Sequence, residues 1–172
     1  LVLYIAQSLD GYIARKDQSI DWLLEYDDPT VSERYNQFIE QIDTIIMGYS
    51  TYRQLIEELS VDNWPYNDLN VFVLTHRPLE NPYGVNFVHG DIVDIVEESK
   101  RVAQKNIWLV GGASIIEQSY KNGLIDRYYI TIIPSLLGDG IKLFDHLNDT
   151  KKLKQINTYR MKDCIEIEYI NA

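Results

Sequence analysis

Four short polar breaks, each at the end of an apolar run, carry the residues best suited to hold a ligand. They are Gln7-Ser8-Leu9-Asp10-Gly11, Gly48-Tyr49-Ser50-Thr51, Thr75-His76-Arg77 and Gly111-Gly112-Ala113-Ser114. The second and fourth share one pattern: strand, glycine, small polar residue, helix. The first turn of a helix has N–H groups without intrahelical partners and the positive end of the dipole, and a glycine lets backbone approach a phosphate closely. Two such starts suit the two phosphates of a dinucleotide. Thr75-His76-Arg77 adds hydroxyl and guanidinium donors, and Arg77 suits one further phosphate. The pattern is not a Rossmann fingerprint, because a third glycine and a later acid are missing. It is not a P-loop either, because no Gly-Lys-Ser/Thr occurs. Each break also has a plain structural reading. Gly111-Gly112 serves as a turn, Thr51 and Ser114 as helix starts, Arg77 as a solvated side chain, and Asp10-Gly11 as a hairpin turn.

The elements that position these breaks follow from periodicity. Leu1–Ala6 is a short continuous apolar run, read as a buried strand. Thr30 at an N-cap with Glu33 at N3 predicts a helix over about 31–42, carried by Val31, Tyr35, Phe38, Ile39 and Ile42. A second strand covers 43–47, and Tyr52, Leu55, Ile56 and Leu59 predict a helix over 50–59. Strands follow at 70–74 and 85–88, then a helix capped by Asp91, a strand at 106–110 and a helix from Ser114 closed by Gly123. From residue 125 the helices stop. Strands are expected at 125–133, 152–160 and 164–170, with Met161-Lys162-Asp163 as the last turn. Ile165, Ile167 and Tyr169 alternate with Glu166 and Glu168, which reads as a strand with its glutamates on a wet face. The whole predicts one α/β domain: a mostly parallel sheet covered by helices, with antiparallel strands at one edge. Ligands of such sheets bind beyond the carboxyl ends of the parallel strands, which places all four breaks on one rim.

Composition narrows the function classes. The 172 residues, 45% hydrophobic, suffice for one packed core. A net charge of −10 disfavours nucleic acid and anionic membranes as partners. One cysteine, Cys164, excludes an internal disulfide and a cysteine zinc site, and suits a reducing cytoplasm. His76, His89 and His146 are scattered without ligand spacing, so no metal is expected. No run of about 18 apolar residues suggests a membrane span, and no basic segment followed by an apolar one suggests a signal peptide.

The ordered set "IAQSLDGYIA" at 5–14, "DW" at 21–22, "IIMGYSTY" at 45–52, "LTHRP" at 74–78, "IWLVGGASII" at 107–116 and "IIPSLLGDGIKLF" at 132–144 resembles the dihydrofolate reductase-like superfamily. The branch most similar holds the C-terminal reductase domain of bacterial riboflavin biosynthesis proteins. The resemblance implies a three-layer fold, with a mixed, mostly parallel eight-stranded sheet, helices on both faces and antiparallel C-terminal strands. It also implies NADPH as cofactor and hydride transfer to a pterin, pyrimidine or related heterocycle. Residues 8–14 would then form a loop over the nicotinamide, with Ala6 and Ile13 lining the ring pocket. Gly48, Ser50 and Thr51 would face the phosphates, and Leu74, Thr75, His76 and Arg77 the adenosine end. Val110, Gly111, Gly112, Ala113, Ser114 and Ile115 would wrap the pyrophosphate and ribose, with a cis peptide joining the two glycines. Tyr49 stands where the family often has a basic residue, which leaves phosphate discrimination to Arg77.

Asp10 and Asp27 are the candidate proton sources, and Ser8, Trp22, Tyr35 and Tyr52 the candidate walls of the substrate side; Phe38 reads as core. A second reading is a nucleotide-binding protein of the same fold without catalysis. A third is a dimerisation module in which the late strands pair across a two-fold axis, with Tyr128 and Tyr129 exposed. A homodimer is compatible with either function.

Overall fold

A computed structural model describes all residues except 27, 61–62, 77–82, 146 and 148–149. The chain folds as β1 (Val2–Ser8), β2 (Tyr12–Ala14), α1 (Asp21–Leu24), α2 (Pro29–Ile39), β3 (Ile42–Gly48), α3 (Tyr49–Gln54), β4 (Asn70–Leu74), β5 (Asn86–Val88), α4 (Ile92–Val102), β6 (Asn106–Gly111), α5 (Ala113–Lys121), β7 (Arg127–Ile133), β8 (Ile141–Lys142), β9 (Leu153–Met161) and β10 (Cys164–Asn171). An eight-stranded sheet has the order β5-β4-β3-β6-β1-β7-β10-β9. Its first six strands are parallel, and β10 and β9 close it antiparallel.

The central strands are apolar without alternation because both faces are covered. Ile45, Ile46 and Met47 are fully buried, and their neighbours on the two faces belong to different clusters. One face packs Leu3, Ile46, Phe72 and Leu109 under α4 and α5. The other packs Ile45, Met47, Val73 and Trp108 under α2 and α3. There Tyr4 stacks on Phe38 at 4.1 Å between ring centroids, and Trp108 meets Phe38 edge-on at 5.4 Å.

The helix starts differ from expectation in detail. Asp28 caps α2, its carboxylate accepting from Thr30 N at 3.0 Å and Thr30 Oγ1 at 2.6 Å, with Pro29 in the first turn. Thr30 lies inside the helix because the aspartate competes better for the free N–H. The helix expected over 50–59 runs as α3 and then widens into a π turn over Leu55–Leu59. Asp91 caps α4 by accepting from Val93 N at 2.8 Å.

Two expectations about the late strands are corrected. Glu166 and Glu168 are 0% and 2% exposed, whereas Ile165 is 43% exposed, so the glutamates sit on the covered face of β10. The reason is long-range pairing. Arg34 of α2 donates to Glu166 Oε1 from Nε at 2.7 Å and from Nη2 at 2.6 Å, and Arg127 of β7 pairs with Glu168. Asn157 adds a bond to Glu168 Oε2 at 2.8 Å. Tyr128 and Tyr129, expected to be exposed, are both buried, one under each face of the sheet. Burial pushes the Tyr128 hydroxyl up to about 12.

Candidate functional site

A cleft of about 1050 Å³ opens beyond the carboxyl ends of the parallel strands. Three of the four polar breaks contribute lining residues, and the first, residues 7–11, contributes none but is flanked by the lining residues Ala6 and Ile13. In its lining Gly48, ending β3, faces Gly111, ending β6, and Gly112, which starts α5. A Cβ placed at Gly48 would lie 3.6 Å from Gly112 N and 3.7 Å from Gly111 O, and one at Gly112 would lie 3.5 Å from Thr51 Oγ1. The two chain segments thus leave room between them for a methyl group in ordinary contact and little more. The Gly111-Gly112 peptide is cis, and Gly111 has φ 138°, where L side chains are strained. No side chain caps α3 or α5 among the described residues; Ile115 N and Ile116 N donate to Gly112 O, which leaves the Ala113 and Ser114 N–H groups of the first turn to face an anion.

Every cofactor residue expected from the sequence that the structure describes lines this cleft. Ala6, Ile13, Gly48, Ser50 and Thr51 do so from β1, β2 and the start of α3. Leu74, Thr75 and His76 line its β4 end, beside Val88, His89 and Gly90. Val110, Gly111, Gly112, Ala113, Ser114 and Ile115 line it from β6 and α5. Arg77 lies outside the described residues.

The catalytic and substrate expectations fare differently. Asp27 lies outside the described residues. Asp10 is no lining residue: its carboxylate accepts from Ser8 Oγ at 2.6 Å, Leu137 N at 3.1 Å and Gly138 N at 2.7 Å. The Ser8 bond, helped by the two backbone amides, holds its carboxyl below the usual range, so at neutral pH it is a carboxylate and no proton donor. Ser8 is buried, donates to Asp10 and accepts from Tyr12 N at 3.0 Å. Together they form a clamp. Gly11 turns back with φ 88° and Gly11 N donates to Ser8 O at 3.0 Å. The resumed strand β2 then pairs with β8, not with β1. The turn is real, yet the segment it launches flanks the cleft through Ile13 and Ala14. Replacing Asp10 with alanine will speed amide hydrogen exchange at Leu137 and Gly138 while leaving dinucleotide affinity unchanged; weakened affinity with unaltered exchange would restore Asp10 to the site.

Of the aromatic walls, Tyr35 lines the cleft, but Trp22 and Tyr52 do not. Trp22 is buried with Ile133, Met161 and Cys164, and Tyr52 packs edge-on against Trp64 and Phe87. Their neighbours take the role instead: Leu23 and Leu24 beside Trp22, and Tyr49 and Leu55 beside Tyr52. Sequence reasoning also missed Tyr4, Tyr66, Asn36 and Thr131. Asn36 was recoverable, since it follows Tyr35 and falls at i, i+4 from Ser32 on one helical face. Thr131 was not, because only the register Ala6–Thr131–Glu166 across β1, β7 and β10 brings it to the rim.

Behind this end lies the Arg34–Glu166 pair. Glu166 Oε2 has no hydrogen-bond partner at normal distance and angle among the described residues, although the Tyr4 hydroxyl lies near enough to the carboxylate to lower its pKa. Burial raises the Glu166 carboxyl against the lowering effect of Arg34. The Tyr4 hydroxyl is driven well up by its own burial and then by the nearby Glu166 charge. The guanidinium also lies 4.1 Å from the Tyr159 ring centre and 5.4 Å from that of Tyr129.

Residues 1–165 match the family of the RibD C-terminal domain. The chain belongs to that family. It is 36% identical over 172 residues to the uncharacterized protein YwjB of Bacillus subtilis, covering 99% of this chain and 97% of the relative. The crystal structure of a "Putative riboflavin biosynthesis protein" from Shewanella sp. PV-4 is 32% identical, with a TM-score of 0.85 over 99% of this chain and 98% of that one. The dihydrofolate reductase of Enterococcus faecalis, solved as a complex with NADP(H), has a TM-score of 0.68 at 16% identity over 99% and 95% of the chains, a likeness of fold. The family and these neighbours give the chain a reductase-like fold. No helix among the described residues is long and apolar enough to cross a membrane.

Proposed function

We propose that the protein is an NADPH-dependent reductase of a small planar molecule. The observation that supports this best is the Gly48–Gly111–Gly112 cradle with Thr51, set beside the uncapped start of α5 on the rim where four strand exits meet. The donor set fits a pyridine dinucleotide. Amides and hydroxyls of Ser50, Thr51, Ala113 and Ser114 would hold its phosphates, Thr75 and His76 the adenosine end, and Ala6 and Ile13 the ring. Arg77, next in sequence, is the basis for preferring the phosphorylated dinucleotide. When bound, a dihydronicotinamide supplies a hydride, two electrons with one proton, to an electrophilic C=N or C=O carbon. The chain's own part is to hold the two rings together in an apolar pocket that excludes water. The proton for the acceptor oxygen or nitrogen would come through solvent or a hydroxyl, since no aspartate or glutamate lines the cleft among the described residues.

A titration with NADPH and NADH, followed by nicotinamide fluorescence, is expected to show saturable binding with NADPH the tighter. No saturable binding of either would overturn the reading. The same lack of a lining acid favours a second reading, a nucleotide-binding protein without turnover. Consumption of NADPH with heterocyclic or quinonoid acceptors separates the two.

A homodimer is part of the same proposal. Strand β9 is an open edge whose residues are exposed from Leu153 to Thr158, and Ile156 and Ile165 leave apolar surface beside it. A second copy offers the identical edge for isologous pairing. Light scattering is expected to give twice the chain mass, and Ile165→Lys with Ile156→Lys to give one; a wild-type monomer would remove this part.

A further inference from the structure

The described lining of the cleft carries almost no formal charge. Among its described lining residues there is no lysine, arginine, aspartate or glutamate. The two histidines that line it, His76 and His89, belong to its β4–β5 end, away from α1 and α2. The α1–α2 end is walled by Leu23, Leu24, Val31, Tyr35 and Leu55. Leu24 and Leu59, 60% and 41% exposed, leave apolar surface open at the same cleft, which a soluble protein seldom does without an apolar partner. Its polar groups, such as Ser32, Asn36, Tyr66 and Thr131, are neutral.

The charges nearby are used elsewhere. Arg34 lies on α2 between the lining residues Ser32 and Tyr35, yet it does not line the cleft: its guanidinium is buried on Glu166, behind the lining residues Tyr4 and Thr131. The start of α2, the helix terminus at this end of the cleft, is already capped by the Asp28 carboxylate, with Lys162 at 3.8 Å from that acid. A second anion there would meet a like charge. A phosphate or carboxylate entering this end would be desolvated without a partner, which is unfavourable by several kcal/mol.

We propose that the substrate is an uncharged, flat, mainly apolar electrophile that bears neither phosphate nor carboxylate. This rests on the reductase reading and names the class of molecule it acts on. Neutral hydroxyl and amide groups from Ser32, Asn36 and Thr131 orient its polar edge, and the leucines and Tyr35 cover its faces.

The test uses the whole chain saturated with NADP+, so that no turnover occurs. Calorimetry compares naphthoquinone with naphthoquinone sulfonate, which differ by one anionic group. The neutral quinone is expected to bind saturably and at least about tenfold tighter, a difference of about 1.4 kcal/mol. Ser32→Arg is expected to improve the sulfonate selectively and close that gap. Equal or tighter binding of the sulfonate to the wild type, or no saturable binding of the neutral quinone to NADP+-loaded protein, overturns the proposal. If NADP+ itself does not bind, the dinucleotide reading falls and this one falls with it.

Discussion

Arg34→Met will destabilise the fold by about 3–5 kcal/mol, because it strips a buried carboxylate of its partner. Glu166 is fully buried, takes both Arg34 bonds on one oxygen and has no partner at normal distance and angle on the other among the described residues. Methionine fills the volume but offers no donor. In the variant, among the described residues, only the Tyr4 hydroxyl is left beside Glu166, and burial favours the neutral form of the acid. Burial already raises its pKa, and loss of the guanidinium raises it further. The sign follows from linkage. A carboxyl whose folded pKa lies above its unfolded value binds protons better in the folded state. Its contribution is fully present below the unfolded pKa and is lost as pH rises to the folded one. The deficit of Arg34→Met should therefore grow from acid towards neutral pH in urea melts. The double change Arg34→Met with Glu166→Leu should recover most of the loss, since apolar replacement of a whole buried pair is often neutral. A single variant that melts within about 1 kcal/mol of the wild type would show the pair to be a bystander. The effect also reaches function, since Ser32, Tyr35 and Asn36 reach the cleft from the turns of α2 that Arg34 anchors to β10.

That pair also shows where sequence reasoning ends. The strand exits were legible because a glycine after an apolar run is a local signal, and the parallel sheet then fixes which ends share a rim. Gly48, Ser50, Thr51 and Gly111 to Ser114 came from such signals and Thr75 and His76 from a polar break, whereas Ala6, Ile13, Leu74, Val110 and Ile115 came from the family resemblance. The alternation in β10 was legible too, but not its phase. A period of two says that Ile165 and Glu166 face opposite ways; it does not say which face is covered. Arg34 and Arg127, one from α2 and one from β7, turn the glutamate face inward. Trp22 and Tyr52 fail for a related reason. A large aromatic near a ligand site serves core or cleft equally well by composition, and here packing against Met161 and Trp64 decides for the core. Asp10 misled because Asp-Gly is a turn signal as well as a carboxylate; here the carboxylate holds Ser8 beside it and the Leu137 and Gly138 amides of a distant loop, and so serves the turn and its anchoring.

The glycine cradle yields the second large effect, and a contrast that separates ligand from fold. Gly48 has φ −78° and ψ 158°, which any residue adopts. An alanine Cβ there would meet Gly112 N at 3.6 Å, Gly111 O at 3.7 Å and Ile115 Cγ2 at 3.9 Å, ordinary contacts that need no rearrangement. Gly48→Ala should thus melt like the wild type. It nevertheless fills the gap in which backbone is to meet phosphate, and NADPH affinity should fall by roughly tenfold, with Gly48→Val nearer a hundredfold, about 1.4 and 2.8 kcal/mol respectively. Gly111 is the opposite case. Its φ of 138° strains any L side chain, so Gly111→Ala should destabilise the fold by about 1–3 kcal/mol and weaken binding through the displaced strand end. Thermal melts read beside NADPH titrations distinguish these outcomes. If Gly48→Ala binds NADPH as the wild type does, the phosphates do not lie between β3 and β6. If it loses stability and affinity together, the space between the strands is packing and not a ligand site. Only affinity lost at unchanged stability fits a gap kept open for a ligand.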